Sequence, residues 1–110
     1  METSLAKRIK EGTPTPGSEA ALRRQIEAFQ QRQPSYGEMT GDLAAGTRPQ
    51  IPEIERQLAM LGPLQSISFR GVGVQGWDVY ESKFANGISV CRILLAADGK
   101  VSGLLFQWGP

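Results

Sequence analysis

Residues 77–108 read WDVYESKFANGISVCRILLAADGKVSGLLFQW, and this stretch decides the fold. Two dipeptides in it, Asn86-Gly87 and Asp98-Gly99, are those that most readily adopt the positive φ angles of a type I′ hairpin turn. They separate three runs of alternating or apolar residues, so the stretch predicts a three-strand antiparallel meander. If both loops have two residues, the register follows, and with it the set of side chains on each face.

The first of the two predicted faces is apolar and is the expected core face. Counting outward from the turns places Tyr80 opposite Ile93, and Ile93 opposite Leu104; Ser82 then lies opposite Cys91, and Phe84 opposite Ser89. The members of the core face are Tyr80, Phe84, Cys91, Ile93, Leu95, Leu104, Phe106 and Trp108.

The opposite face is also rich in apolar residues, although no remaining segment of the chain is left to cover it. It holds Trp77, Val79, Ile88, Val90, Leu94, Val101 and Leu105, with Glu81 predicted to lie opposite Arg92 as a cross-strand ion pair. Large exposed apolar patches mark interaction sites. We therefore predict an interface made of Trp77, Val79, Glu81, Val90, Arg92, Leu94 and Leu105. The alternative is a solvated face whose residues reflect strand propensity and whose ion pair contributes less than ~1 kcal/mol.

Two helices and a further strand are predicted before the meander. Ser18 is suited to cap a first helix with Leu22, Ile26 and Phe29 on its apolar face, and Pro34 ends it. The segment TRPQ at 47–50 resembles a capping box for a second helix. The apolar stripe of that helix is Ile51, Ile54, Leu58 and Leu61, and Gly62-Pro63 ends it. Residues 64–72 then alternate as a first strand, with Ile67 and Phe69 on one face.

The predicted fold class is therefore α+β: two main N-terminal helices packed on a curved, four-stranded antiparallel sheet. Residues 1–17 form a lead-in that ends in the breaker-rich linker GTPTPG, and residues 18–110 form a single domain. A chain of 110 residues has room for one core.

Composition excludes several classes of function. The net charge of +1 gives no general attraction to nucleic acid or to anionic membranes, and no apolar run reaches the roughly 20 residues that span a bilayer. Residues 1–11 lack the apolar core of a secretory signal, so a cytoplasmic location is expected. The chain has no histidine and one cysteine, Cys91, which excludes Ser-His-Asp and Cys-His sites, zinc sites and an internal disulfide.

We therefore expect no catalytic residue, no metal and no cofactor. The segment GVGVQG at 71–76 matches the dinucleotide motif G-x-G-x-x-G by letter, but a strand pattern follows it where that motif requires a helix. A second hypothesis remains open: a small-ligand-binding protein or minimal enzyme, with a pocket between sheet and helices. Tyr36, Asp78, Tyr80 and Trp108 would line such a pocket, and a Tyr/Asp pair could act as acid and base.

Four segments carry a resemblance to a known family: PGSEAALRR at 16–24, LGPLQS at 61–66, GWDVY at 76–80 and ADGK at 97–100. In this order they resemble a small bacterial domain of the cystatin-like or nuclear-transport-factor-two-like type. That domain follows serine hydrolases of the beta-lactamase-related type or occurs as a short protein. The chain departs from the family pattern at Cys91, where an aromatic or charged residue is expected.

The resemblance implies a curved α+β roll that acts as a noncatalytic accessory domain, because the nucleophile of such chains lies in the hydrolase. The motif Ser-x-x-Lys at 4–7 lacks the accompanying Ser-Asp-Asn and Lys-Thr-Gly elements and is interpreted as a chance match. The expected partners are a second copy of the chain or a catalytic domain, without nucleic acid or membrane.

Overall fold

The structure, a computed structural model, describes residues 13–73 and 76–108. The Ser-x-x-Lys motif at 4–7 lies outside these residues. The described chain contains helices α1 (Ser18–Gln30), α2 (Gly41–Thr47) and α3 (Ile51–Leu61), followed by strands β1 (Leu64–Val72), β2 (Asp78–Phe84), β3 (Gly87–Leu95) and β4 (Val101–Trp108). Short 3₁₀ turns lie at Tyr36–Glu38 and Arg48–Gln50.

The four strands form one antiparallel sheet in the order β1-β2-β3-β4, and the helices precede it in the chain. The α+β class is thereby confirmed. The helices cover one face of the sheet, which we call the inner face, and the hydrophobic core lies between them. The core contains Leu22, Ile26 and Phe29 from α1, Ile54 and Leu58 from α3, and Tyr80, Phe84, Cys91 and Ile93 from the sheet. Ile67 and Phe69 of β1 pack against it. None of the described helices is long and apolar enough to cross a membrane.

The register of the first hairpin differs by two residues from the prediction. Phe84 pairs with Gly87 and Tyr80 with Cys91, so the turn is Ala85-Asn86 rather than Asn86-Gly87, and Glu81 does not lie opposite Arg92. Neither Asn86 nor Gly87 has a positive φ, and the type I′ turn is therefore wrong. Because side chains alternate with a period of two, the shift leaves each residue on its predicted face.

The end of α3 determines where this turn falls. The backbone N–H of Asn86 donates to the carbonyl of Leu61 at 2.8 Å, and that of Ala85 donates to the carbonyl of Pro63 at 3.0 Å. The Asn86 side chain donates to the carbonyl of Met60 at 3.3 Å. These bonds satisfy carbonyls at the helix terminus, which otherwise lack partners.

The second hairpin has the predicted pairing of Ile93 with Leu104, but it contains a β-bulge. Leu94 pairs with Gly103 and Leu95 with Val101, so Ser102 is the extra residue. Gly99, at φ 88°, supplies the left-handed conformation of the turn. The bulge reverses the orientation of the residue before it. Val101, predicted on the opposite face, is therefore 1% exposed within the core.

Two predicted helix starts are also wrong. Gly17, at φ 84°, is the N-cap of α1, and Ser18 is its first helical residue. Residues 47–50 form no capping box: Thr47 has helical φ and ψ angles, and α2 continues through the 3₁₀ turn into α3. The cap lies upstream, where the Thr40 side chain accepts the N–H of Leu43 at 3.3 Å. Pro52 is tolerated in the first turn of α3, where no N–H donor is needed.

Candidate binding surfaces

The outer face of the sheet is the side away from the helices, and it carries the predicted interface residues. Leu105 is 55% exposed and Ile88 is 45% exposed, which are high values for large apolar side chains. Trp77, Val79, Val90 and Leu94 are half-buried on the same face. No described helix or loop packs over this patch as the helices do over the inner face.

The charged residues of the outer face have partners different from the predicted ones. Glu81 lies opposite Val90 and makes a salt bridge of 3.1 Å with Arg70 on β1. Arg92 lies opposite Val79, and its guanidinium donates to the Gln107 side chain on β4 at 3.2 Å. The cross-strand ion pair between Glu81 and Arg92 is therefore wrong. Both residues nevertheless remain on the outer face, two positions apart along the β2–β3 ladder.

Trp77 precedes β2, and its indole ring reaches Gly103 of β4. A Cβ atom added to Gly103 of β4 would overlap the indole ring. Gly103 is buried, and the indole ring of Trp77 occupies the space where its side chain would otherwise lie. The absence of a side chain at this position is therefore what allows the six-membered ring of the indole to approach β4 closely.

The four predicted pocket residues do not line a common cavity. Tyr80 is 1% exposed, and its hydroxyl lies 2.6 Å from the Ser18 hydroxyl of α1. Asp78 is also 1% exposed and accepts the backbone N–H of Thr15 at 2.9 Å. Tyr36 lies under the Arg48 guanidinium, 4.7 Å from the ring centroid. The first two contacts tie the start of α1 to the sheet, and the third joins the two 3₁₀ turns.

Trp108, a predicted pocket residue, lines a cleft. The cleft has a volume of about 590 Å³ and lies between β4 and the segment that runs from α2 into α3. The Trp108 ring stacks on Phe106 at 5.0 Å, and Phe106 meets Phe29 edge to face at 6.2 Å. The volume falls within the range of ligand sites, and its wall is mainly apolar and aromatic.

The remaining wall of the cleft was not predicted. Leu43, Thr47 and Ile54 contribute to it from α2 and α3, and Asp42 and Glu53 are its acidic members. The position of this wall depends on the unbroken path from α2 into α3.

The Cys91 thiol and the Tyr80 hydroxyl lie in the packed interior. Cys91 is fully buried, and burial raises the pKa of its thiol, with the Ser82 hydroxyl 3.4 Å away. Burial also raises the pKa of Tyr80. The described residues contain no group of three potential metal ligands. Cys91 and Tyr80 are both members of the hydrophobic core.

Comparison with known proteins places the chain in no established group. No family model matches it, and neither a curated protein nor a solved structure is significantly similar.

Proposed function

We propose that the chain is a noncatalytic binding or assembly module, a cystatin-like roll that associates with a second copy of itself through the outer face. The observation that carries the proposal is the apolar outer face. It holds large exposed side chains at Leu105 and Ile88, while the helices are all used on the inner face. Uncovered apolar patches of this kind are typical of association surfaces.

The charge pattern of the outer face favours a second copy as the partner. Val79 pairs with Arg92, and Glu81 pairs with Val90, on the same face of the β2–β3 ladder, with the inward-facing pair of Tyr80 and Cys91 between them. The two valines therefore lie on one diagonal of a four-residue group, and the two charges lie on the other. A two-fold axis along the valine diagonal would bring Glu81 of each copy against the partner's Arg92. Such an arrangement forms two equivalent ion pairs between the copies and buries the valines between them.

The test compares the mass of the native chain with that of two outer-face variants. Val79→Glu places a carboxylate opposite Arg92, and Val90→Lys places an ammonium opposite Glu81. Each new charge has a cross-strand partner within its own chain, so the fold should be retained while the apolar centre is lost. Native mass spectrometry should give twice the 12.0 kDa chain mass for the wild type and the single mass for each variant.

Ala45, exposed on α2, offers the matched control, because Ala45→Glu and Ala45→Lys add the same charges away from the sheet. Both control variants should remain dimeric. A second set tests the diagonal itself: Glu81→Arg alone should weaken the dimer, and Glu81→Arg combined with Arg92→Glu should restore it. A wild-type chain that stays monomeric at every accessible concentration would refute self-association and leave a catalytic domain as the partner implied by the resemblance.

A second candidate function, ligand binding between sheet and helices, is favoured by the cleft beside β4. Its volume of about 590 Å³ and its stacked aromatic pair Phe106 and Trp108 suit an apolar ligand. A lack of ligand binding in the cleft would leave the outer-face proposal intact, because Val79→Glu and Val90→Lys test the outer face alone.

A further inference from the structure

Strand β4 is the last strand of the sheet, and its outer edge is nearly free of main-chain partners. At its first residue, Met39 forms a parallel bridge with Val101, and the N–H of Thr40 donates to the Val101 carbonyl at 2.9 Å. Gly41 then begins α2, and the chain turns away. No other hydrogen bond between backbone groups reaches this edge within residues 13–73 and 76–108. The edge thus already accepts a short parallel segment of the chain and is open beyond it.

The opposite edge of the sheet is protected against strand addition, and β4 is not. Strand β1 has two register irregularities, between Leu64 and Ser66 and between Phe69 and Gly71, and it carries Arg70. Bulges and charged residues are the devices by which natural proteins block edge pairing. Over the eight residues Val101–Trp108, β4 has neither charge nor proline, and its bulge lies at the start of the strand.

The cleft runs along this free edge. Residues from both faces of β4 line it, including Leu104 and Phe106 from the inner face and Leu105 from the outer face. A cavity that touches both faces of one strand opens onto the edge of that strand. The wall across from the edge is formed by α2, the 3₁₀ turn and the start of α3. A strand that paired with β4 would therefore have side-chain contacts as well as backbone partners.

The charge of the cleft indicates what kind of segment suits it. Its ionisable lining residues are Asp42 and Glu53, and no lysine or arginine lines it in the described chain. Arg56, at 2.6 Å, and Gln57 hydrogen-bond Glu53 and lower the pKa of that carboxyl, so it stays ionised but partly neutralised. Asp42, which is exposed in the first turn of α2, has no such arginine in contact among the described residues. The field in the cleft is negative near Asp42 and favours a cationic residue there.

We propose that β4 accepts an extended peptide as a fifth strand, with alternating apolar side chains and a lysine or arginine that reaches Asp42. The inward side chains of the peptide contact Leu104, Phe106 and Trp108, and its backbone pairs with the open edge. Strand addition of this type obtains its affinity from main-chain hydrogen bonds and its specificity from alternate side chains. The site is separate from the centre of the outer face and does not depend on association through it.

The experiment is a selection with the whole chain from a displayed library of random peptides of the same length as β4. The enriched peptides should alternate apolar and polar residues and contain more lysine and arginine than the input. Two N-methylated versions of the best binder then test the backbone. Methylation of the alternate amides that face β4 should reduce affinity by about tenfold for each hydrogen bond lost. Methylation of the other set should leave affinity nearly unchanged.

Two protein measurements complete the test. Hydrogen exchange should show that the peptide protects backbone amides within β4 and leaves those of β1 unchanged. Asp42→Asn should weaken a lysine-containing binder by about two- to fivefold and leave a neutral analogue unaffected. Val79→Glu, which addresses the outer face, should bind the peptide as the wild-type monomer does.

Three results would overturn the proposal. The first is a library that yields no alternating binder, and the second is a binder equally sensitive to both N-methylation sets. The third is protection of the edge-facing β4 amides that increases with the concentration of the chain alone, since that would assign the edge to a second copy.

Discussion

Gly103→Ala should destabilise the chain, because the added methyl group occupies the space of the Trp77 indole ring. The backbone at Gly103 imposes no penalty of its own, since its φ angle is not positive. In a strand without this neighbour, alanine would be favoured over glycine by roughly 0.5–1 kcal/mol. The sign of the change therefore reports on the position of the ring.

The magnitude follows from overpacking. Inserting a methyl group into a filled site costs typically about 1–3 kcal/mol. For a chain of 110 residues this corresponds to a fall in Tm of roughly 4 to 12 °C. Urea denaturation followed by circular dichroism measures the free energy of unfolding, and the tryptophan emission reports whether the indole becomes solvated.

Gly46→Ala is the matched control. Gly46 lies inside α2, and a methyl group added there would meet no atom within 4 Å, so alanine should stabilise the chain by roughly 0.5–1 kcal/mol. The decisive comparison is Gly103→Ala in a Trp77→Ala background, where the loss should disappear. An equal loss in both backgrounds would refute the placement of the indole over Gly103.

Three further predictions concern Arg32, Tyr80 and Cys91. Arg32, at φ 58°, ends α1 in the left-handed region, so Arg32→Gly should raise the free energy of unfolding by up to about 1 kcal/mol in urea titrations, and Arg32→Ala should not. Tyr80→Phe removes the hydrogen bond to Ser18 and should cost about 1–2 kcal/mol at neutral pH. Burial raises the pKa of Tyr80, so this side chain ionises at a lower pH in the unfolded chain than in the folded one. The free energy of unfolding should therefore fall as the pH rises above about 10, and Tyr80→Phe should make that fall smaller. Native Cys91, buried and with a raised pKa, should react with a thiol reagent only as fast as the chain unfolds, and a rapid reaction would contradict its placement.

The faces of the sheet were predictable from the sequence, and the turns were not. Alternation assigned Tyr80 and Cys91 to the inner face, and a register shift of two residues left them there. The turn chemistry of Asn86-Gly87 was overridden by hydrogen bonds from the end of α3, which lie more than 20 residues away in the chain. A bulge adds one residue to β4 and so reverses the face on which the residue before it lies. For that reason Val101 lies in the core and not on its predicted face.

The outer face was also predictable from the sequence, because the two predicted helices cover one face of the sheet and no other segment was left for the opposite face. The partners of the buried polar groups were not predictable. Tyr80 and Asp78 resembled pocket residues because they are polar and point toward the helices. Their partners Ser18 and Thr15 are 62 and 63 residues away, and no local pattern reveals such a pairing. The absence of charge from β4, by contrast, was visible in the sequence.

The two proposed surfaces meet at Trp77 and Leu105, which belong to the outer face and also line the cleft. A second copy on the outer face and a peptide on the edge of β4 would therefore be neighbours. If they touch, each changes the affinity for the other by the same factor. The peptide should then shift the monomer–dimer equilibrium of the wild type and should have no such effect on Val79→Glu. Gly103→Ala, which displaces the indole shared by both surfaces, should weaken dimerisation and peptide binding together, whereas Val79→Glu should abolish dimerisation and keep the peptide affinity of the wild-type monomer.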